Sequence, residues 1–574
     1  MITLSMFKER LDATESLLLS SSRSLTDEER YLLTLLTTLS SKTLEQQTEY
    51  LEHVLTIFHE TGIAEQQSFK LMIAVIDAAD RLIATIRQHY IYETGTFGPA
   101  QMSYVAQVQS LHYLIIMVYD GFILHASKLS HNQLRIPYKQ GWQRYLGAKV
   151  KPSNMLAVAI HQSLLRYQKL LEEEAVCYRK PSNYLWSKIH QLYYLAYQRQ
   201  VAESDLSTYI ATHQTSSIHQ VYCQICLLHL LNVRAMRRPN ILLIQRLLPE
   251  WAKHMIVTMD PVTETKVFVD LHSSSPPSYL TASSHINPYE EHHDCVFIEL
   301  KPMCLYFNAR NQAFIEEGSI GIEYSLLNMI SMAISYRYLQ PPLTLPTKYS
   351  IKHRAKLMTN FNGIHHYVSH SHSFADLIAI KELSKEERPL YDRFDKARDS
   401  NSVDVETLDD HDSLARYRTL HLMPKNDEQN KDGNTKDSAC GFSTAAPHNL
   451  YIMSLILVYR PDSSIQPDWS IGLVRWLNFD TNVPKVEWQV LGHKLVACGL
   501  RLEGSATRNR HFVPAFILGQ DEQLQTTSTL IVPPSYFEIN DRVVVRIGNK
   551  QTLLRLGARL IKTEEFNQYE VVRL

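Results

Sequence analysis

The residues best suited to chemistry form a short basic stretch, TKYSIKHRAKL, which contains Lys348, Lys352, Arg354 and Lys356. A guanidinium can bind a phosphate through two parallel hydrogen bonds and can stack on a purine, whereas an ammonium supplies a point charge. The stretch therefore predicts an anion-binding surface on which Arg354 makes the most directional contact. The alternative is that these side chains only solvate the edge of a strand.

A second group of residues lies further along the chain. Asp437, Ser438 and Gly441 stand in the sequence DSACG, where a hydroxyl and a tight glycine turn can bring a backbone donor close to a ligand. Arg416 and Arg418 precede LHLM and are additional basic contacts in this prediction. Together with the basic stretch, these residues predict a small site for an anionic nucleotide on the rim of a barrel.

The cysteines and histidines favour structural roles. Cys223 and Cys226 form a lone C-x-x-C in an apolar helical run, which indicates a buried pair of small hydrophobic side chains and no metal site. No histidine stands in a helical H-E-x-x-H motif, so we expect exposed histidines in polar loops. The clustered histidines are His292, His293, His365, His366, His370 and His372.

Several functional classes are disfavoured. The chain has no G-x-S-x-G elbow, Walker A loop, dinucleotide G-x-G-x-x-G or kinase motif set, which predicts a non-catalytic protein without a cofactor. Its formal net charge of −1 argues against a dedicated nucleic-acid binder. The seven scattered cysteines indicate a reducing compartment, and no apolar run is long enough for a secretory signal or a membrane span. We therefore expect a cytoplasmic protein.

These residues must be positioned by several domains, because 574 residues exceed what one hydrophobic core supports. Residues 1–255 predict an all-helical domain, with capping boxes at Thr26/Glu29 and Thr43/Gln46 and apolar stripes at helical spacing. Further helices are expected around 103–125, 153–175, 183–200, 217–233 and 239–255.

The pattern then changes from helices to strands. Residues 256–345 predict a mixed α/β segment with a helix around 318–338, and residues 346–574 predict a barrel of short strands. Low hydrophobicity with charges of both signs marks 383–436 as a polar insertion, mainly loop, within this barrel. The predicted fold class is α+β and multidomain.

The C-terminal succession of Ser438 to Gly441, WSIGLVRWL (469–477) and VEWQVLG (486–492) resembles PilZ domains, the bacterial cyclic-di-GMP receptor barrels. The closest likeness is to atypical PilZ proteins of gammaproteobacteria that have a large helical N-terminal region. PilZ domains bind the dinucleotide through R-x-x-x-R and D/N-x-S-x-x-G. Here lysines flank Arg354 in the first motif, and Lys436 with Asp437 stands at the acidic position of the second.

The resemblance implies a non-catalytic protein whose barrel senses cyclic-di-GMP, or has lost that ability, while the helical half binds a partner protein. Two alternatives remain open. The barrel could be purely structural within a scaffold or adaptor, or the chain could be an RNA- or chaperone-associated factor that uses aromatic side chains to stack bases. The aromatic residues available for stacking are Trp469, Trp476, Phe479 and Trp488.

Overall fold

The computed structural model divides the chain into two compact units, residues 1–306 and 307–574, which are described separately. The residues described are 1–20, 39, 41–61, 66–93, 95, 97–133, 152–207, 215–260, 265–280, 287–289, 294–318, 321–335, 351–370, 373–381, 383, 385, 388–396, 402–409, 417–423, 450–460, 468–478, 484–504, 511–521, 524, 527–534 and 536–574. Thr26 and Glu29 lie outside them.

The first unit begins with helices that agree closely with the sequence periodicity. Thr43 and Gln46 form the predicted capping box, in which each side-chain oxygen accepts a hydrogen bond from the other residue's backbone N–H. In the described part these helices are α1 (Leu4–Ser20), α2 (Leu44–Thr61), α3 (Gln66–Arg87), α4 (Pro99–Gln133), α5 (Pro152–Val176), α6 (Asn183–Gln198), α7 (Ile218–Leu230) and α8 (Arg238–Trp251).

Helix α4 lies at the centre of the bundle. Every residue from 108 to 119 is buried, including the polar Gln109, Ser110 and His112, so this stretch of the helix is enclosed on all sides and contacts α1, α2, α3 and α5. The stripe of α2 formed by Leu51, Val54, Leu55 and Phe58 is also buried. The helical packing is therefore directed by the apolar spacing seen in the sequence.

A small sheet follows the helices. Strands β1 (Ile256–Thr258), β2 (Val267–Asp270), β3 (Ser278–Tyr279) and β4 (Cys295–Glu299) form an antiparallel sheet in the order β1-β4-β2-β3. Helices α9 (Lys301–Glu316) and α10 (Ile322–Ile334) come next. The predicted change from helix to a mixed segment near residue 255 is thus present.

The second unit contains two closed six-stranded antiparallel barrels, whereas the sequence predicts one barrel over 346–574. The first barrel has strand order β10-β7-β6-β5-β8-β9. Its strands are β5 (Ile351–Thr359), β6 (Val403–Asp409), β7 (Tyr417–Leu422), β8 (Leu455–Arg460), β9 (Asp468–Asn478) and β10 (Lys485–Gly492).

The second barrel follows directly and has strand order β11-β12-β13-β16-β15-β14. Its strands are β11 (Leu495–Leu502), β12 (Val513–Leu518), β13 (Thr529–Val532), β14 (Arg542–Ile547), β15 (Lys550–Lys562) and β16 (Asn567–Arg573). Apolar side chains fill its interior, and they include Leu500, Ala515, Leu530, Val543 and Leu556. The predicted fold class is confirmed, with a helical N-terminal half, a mixed segment and a C-terminal barrel region.

Between the first two strands of this barrel, the described residues include three helices: α11 (Phe361–Ser369), α12 (Phe374–Leu377) and α13 (Arg388–Lys396). Helix α11 contacts strands of both barrels, and Phe361 packs edge-to-face on Phe516 with ring centroids 5.0 Å apart. The Nε2 atom of His365 lies 3.0 Å from the carbonyl oxygen of Cys498 in the second barrel. This helix therefore joins the two barrels.

The stretch 383–436, which the sequence predicts as a polar insertion, differs from that prediction in its described parts. Helix α13 and strands β6 and β7 lie within it, and both strands are integral to the first barrel. In β6, Val405 and Thr407 are buried while Asp404 is exposed, so the charged residues occupy alternate positions. The high overall polarity of this stretch did not indicate β6 in the sequence, because only one face of that strand is buried.

Candidate functional site

The basic stretch forms part of β5. Arg354 and Lys356 are exposed on the outer face of the first barrel, and Lys352 lies two residues before Arg354 on the same strand. Glu406 stands opposite Arg354 in the strand register, and Asp404 stands opposite Lys356. The outer face therefore carries cations on β5 and carboxylates on the neighbouring β6.

Most of the other predicted ligand-binding residues lie outside the described residues: Lys348, Arg416, Asp437, Ser438 and Gly441. The strands that flank the segment with Ser438 and Gly441 are nevertheless informative. Leu422 ends β7 and Leu455 begins β8, at the same barrel end as Thr359. The basic stretch begins at the opposite end, where Ile351 pairs with Asp409.

The remaining predicted residue, Arg418, lies at a pocket in the mouth of the first barrel. It stands two residues before the buried Leu420, so both belong to the inward face of β7. Arg460 lies on the same face of β8 as Val458, which pairs with the buried Leu357, while Tyr459 pairs with the exposed Lys356; Arg460 therefore faces inward. The two arginines thus approach one barrel end from different strands.

We call this pocket the arginine mouth. It is a shallow depression with no enclosed room for a water molecule, and its lining comprises Thr407, Arg418, Thr419, Leu420, Val458, Arg460, Ser470 and Trp488. Both arginines are half-buried. No carboxylate is present in this lining.

Trp488 forms one wall of the arginine mouth and stands opposite Arg418 in the register. The indole packs directly over Gly472, where an added Cβ would lie 2.2 Å from Cε3 of the ring, so only glycine allows this approach. Trp488 is 1% exposed, and its Nε1 has no hydrogen-bond partner within the described part of the chain. A buried donor left without an acceptor is uncommon and requires an explanation.

Ser470 supplies a hydroxyl to the same pocket. Its Oγ lies 2.9 Å from Nδ1 of His493, which fixes the position of the hydroxyl at the rim. Asp468 stands opposite Arg460 in the register of β8 and β9. The pocket therefore combines guanidinium and hydroxyl groups, with one acidic residue beside it along the strand.

Sequence reasoning identified Arg418, and it favoured a core position over base stacking for Trp488, which is buried. It missed Arg460, Ser470 and Thr407.

Residues 455–458 of β8 are all buried, so the sequence carries no alternation that would give the direction of Arg460; its face follows from the pairing of Val458 with Leu357. That pairing becomes known only when the strands of the first barrel are placed.

The histidine-rich stretch GIHHYVSHSHSF differs from its predicted polar loop. His365 lies on α11 and is buried, because Phe361, Ile364 and Val368 form an apolar helical stripe around it. Burial lowers the pKa of His365 to about 4, so the imidazole is neutral near pH 7. His292, His293 and His372 lie outside the described residues, whereas His366 and His370 belong to the end of α11.

The predicted burial of Cys223 and Cys226 is confirmed. Both are reduced and lie on α7, and burial raises the pKa of Cys223 to about 12. Among the described residues, no three histidine, cysteine or acidic side chains are placed to hold a metal ion. No helix in the described ranges has the length and apolarity needed to cross a bilayer.

The aromatic residues considered for base stacking are largely inaccessible. Trp476 and Trp488 are buried, Trp469 packs 5.8 Å from the ring of Tyr367, and Phe479 lies outside the described residues. The first barrel thus offers no described row of exposed rings of the kind that binds single strands.

The helical unit contains a buried polar cluster with a structural explanation. The hydroxyl of Tyr90 donates to Glu173 at 2.6 Å, and the guanidinium of Arg87 pairs with the same carboxylate at 2.7 Å. Burial raises the pKa of both Tyr90 and Glu173. Because the ion pair and the Tyr90 hydrogen bond both involve Glu173 on α5, the cluster links α3 and the residues after it to α5.

Comparisons with known proteins agree with this architecture. Residues 30–262 match a family model described as the N-terminal domain of the cyclic-di-GMP receptor FimW, and residues 498–574 match the FimW C-terminal beta-barrel domain. The chain is also 20% identical over 421 residues to the cyclic-di-GMP receptor FimW of Pseudomonas aeruginosa, with 67% of each chain covered. No solved structure matches significantly.

The second match coincides with the second barrel, which covers Leu495–Arg573. The matched barrel is therefore the apolar one, while the arginine mouth belongs to the first barrel, which lies between the two matched regions. The two domain models and the relative support a family of cyclic-di-GMP receptors, a non-enzymatic class, and do not specifically support an atypical PilZ protein.

Proposed function

We propose that this chain is a cyclic-di-GMP receptor that converts nucleotide binding into a change in its interaction with a partner protein. The observation that carries the proposal is the pair of matches, at both ends of the chain, to domains of a receptor for this dinucleotide. The proposed protein is non-catalytic and acts in the cytoplasm.

The first barrel is the proposed site of binding and is the PilZ-like part of the molecule. Its outer face provides Arg354 and Lys356 for phosphate, and the carboxylates of Asp404 and Glu406 can accept hydrogen bonds from guanine N–H groups. A ligand with two phosphates and two guanines requires both kinds of group close together. The presence of both cations and carboxylates on this face favours a nucleotide over a simple anion as the ligand.

The rest of the proposed binding set comes from the sequence. Lys348 and Lys352 add positive charge at the start of β5, and Asp437, Ser438 and Gly441 add a carboxylate, a hydroxyl and a close backbone approach. Arg416 and Arg418 are additional basic contacts. Arg354 has the only guanidinium in the basic stretch and should make the strongest single contact on the outer face.

The helical half is the proposed partner-binding region. A ligand shifts a conformational equilibrium only by its differential affinity for the two states. A nucleotide that contacts both the barrel and the basic segment before β5 would favour the arrangement in which the two are close. The partner would then bind one arrangement of the chain more tightly than the other.

Isothermal titration calorimetry of the full chain with cyclic-di-GMP tests this function, with cyclic-di-AMP as the specificity control. Replacing Arg354 with Ala should weaken binding by roughly tenfold to a hundredfold, because a charge-assisted contact contributes about 1.5–3 kcal/mol. Arg555→Ala is the matched control, since Arg555 is an exposed arginine on the outer face of the second barrel. Absence of binding by the wild-type chain would favour the scaffold alternative.

A further inference from the structure

The connection between β5 and β6 is longer than the pairing of these strands requires. The two strands are antiparallel neighbours, and Leu357 pairs with Val403 near the ends that the connection joins. About two to five residues are enough to join such strands, yet residues 360–402 lie between these two. We call residues 373–381 and 388–396 of this connection, which include α12 and α13, the strap.

The strap packs on the outer surface of the second barrel through apolar side chains. Phe374, Ile378 and Tyr391 are buried in one cluster with Phe512, the residue before β12. The ring centroids of Phe374 and Tyr391 lie 5.5 Å apart, as do those of Phe374 and Phe394. The strap therefore buries one apolar face against the second barrel, although it belongs in sequence to the first.

Hydrogen bonds from the second barrel fix the position of the strap. The backbone N–H of Gly548, in the turn between β14 and β15, donates to the carbonyl oxygen of Leu377 at 2.8 Å. The guanidinium of Arg546 donates to the carbonyl oxygen of Ala379 at 3.2 Å. Because the last carbonyl groups of a helix have no partners within it, these donors satisfy backbone groups at and just beyond the end of α12.

A glycine in β11 allows the strap to approach the barrel closely. Gly499 faces outward, since its neighbours Cys498 and Leu500 belong to the barrel interior. A Cβ added at Gly499 would lie 2.5 Å from Cγ2 of Ile378 and 3.5 Å from Cζ of Phe374. The Cγ2 atom is bonded directly to the branched Cβ of Ile378, so a side chain at residue 499 would displace the strap itself.

The two strands joined by this connection carry the proposed binding face. Arg354 and Lys356 lie on β5, and Asp404 and Glu406 lie on β6. Between them the chain passes through α11, which contacts strands of both barrels, and then through the strap. Packed side chains and hydrogen bonds thus form a continuous path from the second barrel to the two strands, and coupling between sites is carried by such paths.

We propose that the strap couples the second barrel to the β5–β6 face, with Phe374 and Ile378 as positioning residues. Docking of the strap on the second barrel holds the two strands in the arrangement that binds the ligand, and the ligand in turn favours the docked strap. The coupling is reciprocal because both events act on the same equilibrium. The inference rests on the proposed function for the ligand, cyclic-di-GMP, and gives the second barrel a role in its binding.

Hydrogen exchange of the full chain without ligand gives the first test. Gly499→Ala should displace the strap and accelerate exchange in the strap, β5 and β6 by about fivefold or more. Gly557→Ala is the matched control in the same barrel, because its added Cβ would lie 3.2 Å from Cβ of Glu570 and far from the strap in sequence; it should leave β5 and β6 unchanged. Faster exchange in the strap alone, without a change in β5 and β6, would overturn the proposal.

A compensating substitution separates displacement of the strap from damage to β11. Leucine has the volume of isoleucine but no branch at Cβ, so Ile378→Leu removes the atom that the new methyl group would meet. The double variant Gly499→Ala/Ile378→Leu should therefore return exchange in β5 and β6 to within about twofold of the wild type. Exchange in β13 and β16 reports whether the second barrel remains folded. Fast exchange in β5 and β6 that persists in the double variant would overturn the role of Ile378.

Calorimetry with cyclic-di-GMP measures the consequence for the ligand. Gly499→Ala should weaken binding by about fivefold or more, and Gly499→Ala/Ile378→Leu should restore most of the affinity. In the wild type, the ligand should slow exchange in the strap, although no residue of the proposed binding face belongs to it. Equal affinity in the wild type and Gly499→Ala would overturn the positioning role. If the wild-type chain does not bind cyclic-di-GMP, the proposed function fails, whereas exchange in β5 and β6 still decides whether the strap couples the two barrels.

Discussion

The two barrels of the second unit have the same number of strands and the same antiparallel closure, yet their inward polar side chains differ in placement and in hydrogen bonding. In the second barrel, the hydroxyl of Tyr569 donates to the carbonyl of Phe537 at 2.7 Å, and the amide of Gln568 donates to Thr529 at 2.9 Å. In the first barrel, Arg418, Arg460 and Trp488 surround a pocket. The second barrel thus pairs these two polar side chains inside its wall, whereas the first barrel places two arginines at one of its ends.

This difference shows that barrel closure does not determine function. Both barrels remove exposed sheet edges, which protects the chain from edge-to-edge association. Binding depends on which side chains a barrel presents to its ligand. The proposed binding face belongs to the first barrel, so the family match to the second barrel and the binding proposal for the first are compatible.

His365 is a polar group beside the second barrel whose partner lies inside the protein, and protonation would disturb that arrangement. Of the changes considered, we expect this one to have the largest effect on the free energy of unfolding. The imidazole lies 3.0 Å from the carbonyl of Cys498, and burial lowers its pKa to about 4 from an ordinary value near 6.5. Because the folded-state pKa is depressed, stability is fully present above pH 6.5 and falls as the pH decreases toward 4. This one group should account for about 3 kcal/mol.

The measurement is the free energy of unfolding of the second unit, followed by hydrogen exchange of peptides from β11 and α11 between pH 7 and 4. His365→Gln retains a donor for Cys498 but does not titrate, so the stability advantage of the wild type should shrink by about 3 kcal/mol over this range. Parallel pH profiles for the two proteins would show that His365 is not held neutral by burial. Comparing the pair removes contributions from other histidines.

The sequence predicted strands well where both faces are apolar and poorly where one face is charged. LILVYR and RVVVRI were identified from their β-branched runs, whereas VDVETLD was assigned to an insertion because its outward residues are acidic. Without β6 and β7, the first barrel could not be closed, and one barrel was predicted where two exist. The inward position of Arg460 depends on that closure, so local patterns alone could not reveal the arginine mouth.

A methyl group added at Gly472 tests whether the wall of the arginine mouth depends on close approach of the indole. The Cβ of Gly472→Ala would lie 2.2 Å from Cε3 of Trp488 and 2.5 Å from the backbone oxygen of Gln489. Because the second contact is with the backbone of β10, a rotation of the indole cannot relieve it and β9 must shift relative to β10; we expect a loss of about 1–3 kcal/mol. Tryptophan fluorescence and hydrogen exchange in β9 and β10 would report it.

Gly557→Ala in the second barrel is the matched control for Gly472→Ala. Its added Cβ would lie 3.2 Å from Cβ of Glu570, a tight contact that a small shift can relieve. We expect a smaller change, confined to β15 and β16. If both alanine variants were equally stable, the close packing of Trp488 on Gly472 would not be needed to hold the mouth in shape.

The smallest expected effect concerns the direct link between the unlike barrels. The carboxylate of Glu565, in the turn between β15 and β16, accepts a hydrogen bond of 3.0 Å from the backbone N–H of Leu455 at the start of β8. Glu565→Gln keeps an acceptor but removes the charge, so we expect a loss of about 1 kcal/mol. Exchange of the Leu455 amide should accelerate about fivefold, while Glu564→Gln, on the neighbouring exposed side chain, should leave it unchanged. Because β8 pairs with β5, which carries Arg354, a variant that loosens β8 and also weakens cyclic-di-GMP binding would show that the second barrel helps to position the proposed binding face. Unchanged binding would show that the first barrel holds this face alone.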